Sequence, residues 1–156
     1  MGKTENSKAA RCFKYQREDF GGLPVKLEHL KMHINFVGEK VEATCLLQMS
    51  AVVAIDEIEL DAKDLEIDGV ELLTSLEDAN AAPLAIEYRR DKDKLAVKFA
   101  RRVEPLERFF IRTRSRCAPT EHMLEGIYKD STPNGAPQQF ISQCQQWGFQ
   151  RIMPIF

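Results

Sequence analysis

Two histidines four residues apart, His29 and His33 in HLKMH, are the first residues whose spacing could do chemistry. On a helix that interval puts both imidazoles on one side, where they can share a zinc ion, and a glutamate after the first histidine would act as general base. Here the following residue is Leu30. The alternation around the pair is that of a strand, along which four residues hold the rings about 13 Å apart. The pair therefore reads as a surface or rim feature. His122, beside Glu121, has no clustered partner, and a single histidine is weak evidence for a ligand or base. No G-x-S-x-G, H-E-x-x-H or phosphate-binding loop occurs in the chain, so it shows no catalytic engine of its own.

Three further groups carry chemical potential. Arg112, Arg114 and Arg116 form a basic ladder on one face of an alternating segment. Such a ladder could meet phosphates, but a solvated face with acidic cross-strand neighbours is the expected reading. Trp147, the one tryptophan, stands next to Gly148 and Phe149 and reads as a packing residue. Gln143 and Gln145, two apart, share a face if the strand continues through them. From residue type alone they are solvent-facing or loop-bonding amides.

The elements that must position these groups are strands. Leu30, Met32, Ile34 and Phe36 alternate with Lys31, His33 and Asn35, and after the turn Val37 to Lys40 the alternation resumes at Val41, Ala43, Cys45, Leu47 and Met49. Ile58 with Leu60, and Leu65 with Ile67, mark two short strands across a charged turn. Leu84, Ile86 and Tyr88 are expected to pair with Leu95, Val97 and Phe99 around a charged tip from Arg89 to Lys94. Phe109 to Ser115 and Gln138 to Ser142 are further strands, and only Val70 to Ala79 hints at a helical period. Many short strands with turn signals between them predict an all-β, antiparallel sandwich or barrel.

At 156 residues the chain is one domain's length and can bury a core without staples. Residues 1–22 read as a polar lead-in and 23–156 as one all-β domain. A formal charge of −2 argues against nucleic acid, whose partners carry a basic excess. No apolar run approaches the roughly 18 residues of a membrane helix. Cys12, Cys45, Cys117 and Cys144 contain no C-x-x-C pair. They read as free, mostly buried thiols of a reducing, cytoplasmic compartment.

The last thirty residues carry a resemblance. Gly126-Ile127-Tyr128, then Gln143-Cys144-Gln145, then Phe149 to Pro154 with Arg151 between, resemble in order and spacing the end of the N-terminal domain of aminopeptidase N-like zinc metallopeptidases. The likeness is sharp over about residues 124 to 154. It is diffuse over about 23 to 123, where IDEIELDAKDLEI also resembles the family, and residues 1 to about 20 match nothing in it. It implies a saddle-like all-β domain lying against its own catalytic zinc domain, with zinc held there and none in this stretch. It also implies that Gln143 lines the pocket for the first side chain of a peptide substrate and that Gln145 helps anchor the free α-ammonium. An amide oxygen can accept a hydrogen bond from an ammonium, though a carboxylate gives the stronger, charge-assisted one. Many aminopeptidases have glutamate at the second position; the leukotriene-hydrolysing branch has glutamine, as here.

On this reading the chain stops at a domain boundary, and the apolar Ile152, Met153, Ile155 and Phe156 are expected to lie exposed and drive self-association. Two functions remain open: a non-catalytic, substrate-binding domain of a zinc aminopeptidase, or a zinc-free scaffold related to the family. Sequence beyond Phe156 with G-x-M-E-N and H-E-x-x-H would favour the first. A free-standing ligand-binding sandwich ranks below both.

Overall fold

Alternation of period two places one face of each strand inward, and the chain buries those faces between two antiparallel sheets. A computed structural model describes residues 21–73, 87–145 and 147–156. In chain order the strands are β1 (Val25–Val37), β2 (Lys40–Ala51), β3 (Ile55–Asp61), β4 (Glu66–Leu73), β5 (Glu87–Asp91), β6 (Lys94–Val103), β7 (Arg108–Cys117), β8 (Gly126–Lys129) and β9 (Phe140–Gln143). A 3-10 turn, Gly148–Arg151, follows. One sheet has the order β1-β2-β7-β4, the second β3-β6-β5, and β8 and β9 form a separate hairpin. The expected antiparallel sandwich is what the chain forms.

The core lies between the first two sheets. Val41, Cys45, Leu47 and Met49 of β2 and Ile111 of β7 meet Ile58 and Leu60 of β3 and Leu95 and Val97 of β6, all buried. Phe99 and Phe109 meet edge to face, with ring centroids 5.2 Å apart, and tie β6 to β7 across the sandwich. β3 and β4, adjacent in sequence, belong to different sheets, so the charged segment between them crosses from one layer to the other.

Several expectations are corrected. The second hairpin turns at Lys92 and Asp93 alone, with Asp91 opposite Lys94. Arg89 and Arg90 are in β5, because Lys92 takes the left-handed conformation (φ 51°) that closes a two-residue turn. Leu84 and Ile86 lie outside the described residues. Val70 to Leu73 is strand, paired with Phe110 to Thr113, and the rest of the suspected helical stretch is outside the described residues. Of the cysteines, Cys45 is buried, Cys117 half-buried and Cys144 exposed, all as free thiols; Cys12 is outside the described residues.

The largest correction concerns the end of the chain. Ile152, Met153 and Pro154 are buried, and Ile155 and Phe156 pack against the core. Ile155 bridges to Asp61 at the end of β3, and Lys63 donates its N–H to the Gln150 carbonyl at 2.9 Å. The apolar ending thus meets its own domain, which removes the basis for self-association through these side chains.

Candidate functional site

Gln143, the last residue of β9, and Gln145, in the turn after it, are both exposed, and the elements on either side are anchored. On the upstream side, β8 and β9 pair from Gly126 opposite Gln143 to Lys129 opposite Phe140. The long connection between them closes through the Asp130 N–H to the Gln139 carbonyl and the Gln138 amide to the Asp130 carbonyl, each 2.9 Å. The hairpin is fastened to the sandwich by buried Ile127 and by the ring of Phe140 against Phe36 of β1, with centroids 5.2 Å apart. On the downstream side the 3-10 turn delivers Ile152 and Met153 into the core.

β9 ends at Gln143, so the alternation that would place Gln145 on the same face does not continue. Cys144 leaves the strand, Gln145 lies in the turn, and both glutamines are solvent-exposed. The structure thus leaves the two glutamines exposed at the end of β9 and in the turn after it, without the shared strand face. Trp147 is 66% exposed on the same turn. This corrects its reading as a packing residue, since the buried positions beside it are taken by Gly148 and Ile152.

Two glycines and an arginine explain why the turn is where it is. Gly126 has φ +74°, and a Cβ there would lie 2.8 Å from the Arg151 Cβ. A Cβ on Gly148 would overlap the Gln143 carbonyl and lie 2.9 Å from the Gly126 nitrogen. Arg151, almost covered, donates through Nε to Glu125 at 2.9 Å and through Nη1 to Asp64. It pins the turn to the approach of β8 and to the β3–β4 crossing. Gly148 carries no local signal in the sequence, because the backbones it touches belong to Gln143 and Gly126 of the hairpin.

Beside the turn runs an apolar groove of about 310 Å³, lined among others by Met32, Ile34 and Phe36 of β1 and by Phe140, Ile141 and Cys144. It exists because the inward face of β1 is incompletely covered: Met32 and Phe36 are 47% and 50% exposed. The alternation that identified β1 also contained this groove, but nothing local in the sequence tells a covered edge strand from an open one.

The remaining candidates behave as charge-balanced surface. Arg112 and Arg114 both pair with Glu71, at 3.1 and 2.8 Å, and Arg116 pairs with Asp68 at 2.5 Å. The acidic cross-strand neighbours expected for the ladder are therefore present, and Gly69 leaves room for the Arg114 guanidinium. His29 and His33 are exposed on β1, opposite Gln48 and Thr44, and His122 is exposed in the segment before β8. Among the described residues no group of three or more His, Cys, Asp or Glu side chains could hold a metal ion.

No curated protein matches the chain. The family model of the peptidase M1 N-terminal domain matches residues 15–156, nearly the whole chain and all three of the C-terminal segments that surround the glutamine turn. A match over that span shows that the chain, an antiparallel sandwich, belongs to the peptidase M1 N-terminal domain family.

Proposed function

We propose that this domain is the substrate-positioning wall of a zinc aminopeptidase, presenting Gln143 and Gln145 to a cleft shared with a catalytic zinc domain. The observation that carries the proposal is the exposed turn, anchored upstream by the pairing of β9 with β8 and its buried Ile127, and downstream by buried Gly148 and Ile152. A binding element needs reach together with rigidity, and a turn held by a hairpin on one side and a core-inserted segment on the other has both. Gln145 Oε1 would accept a hydrogen bond from the α-ammonium of a peptide, while its NH₂ group would remain free to donate to a substrate carbonyl. Gln143, at the strand end, would border the first side chain. The open groove along Met32, Ile34 and Phe36 supports docking of a neighbouring domain on this same face, since water-exposed apolar grooves of this kind mark interaction surfaces. Zinc, the general base and the groups that stabilise the transition state would belong to the catalytic domain. The zinc ion would supply an activated water and polarise the scissile carbonyl.

The test is kinetic. In a polypeptide joining this domain to its catalytic domain, Gln145→Ala should lower kcat/KM for peptides with a free N-terminus by roughly 10-fold or more, the loss of one hydrogen bond to a charged group. Zinc content should not change. A variant as active as the parent on such peptides would refute the proposal, and a joined polypeptide without zinc ligands would favour a scaffold role.

A further inference from the structure

We infer that Gly148 is a positioning residue for the glutamine turn, setting where Gln145 can sit by allowing three backbones to touch at one point; this rests on the anchoring role proposed above. The three are the end of β9 at Gln143, the start of β8 at Gly126, and the first residue of the 3-10 turn. A methyl group on Gly148 would overlap the Gln143 carbonyl and stand 2.9 Å from the Gly126 nitrogen. All of these atoms are backbone, so no side-chain rotation can make room. Gly148 does not have the positive φ of Gly38, Gly126 and Gly135, so the backbone conformation itself would admit alanine. Its glycine is required by closeness alone.

That closeness defines the turn. Gln145 lies two residues from one of two backbone positions held in contact, and short, stiff loops have few conformations. Any side chain at 148 must move the 3-10 turn away from Gln143, and Gln145 follows. Arg151 holds the same turn from behind, through Glu125 and Asp64, so the displacement has to appear on the exposed side, at Gln145. Misplacing a positioning group by about 1 Å can weaken a productive interaction up to about 100-fold. The domain's fold does not need that precision; the substrate's ammonium does.

The experiment uses the joined polypeptide and two probes: an amino-acid hydroxamate, which carries an α-amine, and acetohydroxamate, which binds zinc without one. Gly148→Ala should weaken the amine-bearing probe about 10-fold and acetohydroxamate less than about 2-fold. Combining it with Gln145→Ala should add little to the loss caused by Gln145→Ala alone, because both remove the same contact. Should Gly148→Ala fail to fold, Arg151→Met keeps the stem over Gly126 and removes both ion pairs, with an expected selective loss of about 3-fold. Equal weakening of both probes, or parent-like affinity for both in a folded variant, would overturn the inference while Gln145→Ala still showed its effect. If Gln145→Ala left the amine-bearing probe untouched, the anchoring role would fall and this inference with it.

Discussion

Ile155 and Asp61 exchange two backbone hydrogen bonds, the Asp61 N–H reaching the Ile155 carbonyl at 2.7 Å and the Ile155 N–H reaching the Asp61 carbonyl at 3.0 Å. The pairing makes the end of the chain part of the sandwich and seats Met153 in the core with no exposed surface. Met153→Ala should therefore destabilise the domain by about 2–5 kcal/mol, the usual consequence of emptying a core methionine site. Urea denaturation monitored through Trp147 would measure it. A loss below about 0.5 kcal/mol would mean that the segment is only loosely attached.

Thr113 and Ser115 face the core from β7, and neither hydroxyl has a hydrogen-bond partner among the described residues. A buried, unsatisfied hydroxyl is costly, whereas a methyl of the same size is not. Thr113→Val is expected to raise stability by about 1 kcal/mol. A clear drop in the urea midpoint would show that the hydroxyl has a role the packing does not reveal.

Glu28 sits at the bulge in β1, where Gln48 donates to it at 3.1 Å and Arg108 pairs with it at 3.0 Å. The Gln48 hydrogen bond, then Ser50 and the Arg108 charge, hold its carboxyl below the ordinary value of 4.5. A carboxyl depressed in the folded state stabilises it above the ordinary value and loses that contribution as pH falls through the folded value. Glu107, held low chiefly by Arg101, acts in the same direction. Denaturation midpoints should fall as pH drops below 4.5, and Glu28→Gln should flatten that fall. Parallel acid limbs for parent and variant would contradict the assignment.

Burial alone raises the Cys45 thiol to about 12 and the Cys117 thiol to about 11, so both stay protonated at neutral pH. Cys144 is exposed beside Gln143 and Gln145. Brief iodoacetamide treatment of the native domain should modify Cys144 and leave Cys45 intact until the protein unfolds, as peptide mass spectrometry would show. Early modification of Cys45 would mean that the β2 face opens readily.

What could be read in advance follows the range of the interactions. The paired alternation of Leu30 to Phe36 with Val41 to Met49 is a local property, and β1, β2 and their turn appear where expected. The arginine ladder was legible for the same reason: alternation puts three guanidiniums on one face, and a chain of slight negative charge supplies partners such as Glu71 and Asp68. The fate of the last five residues was not legible. Apolar side chains at a chain end look alike whether they await another domain or fold back, and the choice was made by Asp61, far away in sequence. The glutamines were found through family resemblance; Gly148, which shapes their turn, acts by close backbone approach, and an isolated glycine in a sequence does not announce what it touches.

The central claim is that the amides on this turn grip the leading end of a peptide. A crystal structure of the joined polypeptide with an amino-acid hydroxamate tests it most directly. The account predicts Gln145 Oε1 within hydrogen-bond distance of the inhibitor's ammonium, about 2.7–3.2 Å, with Gln143 beside the first side chain. Both amides turned toward bulk solvent, with the ammonium held by other groups, would contradict it.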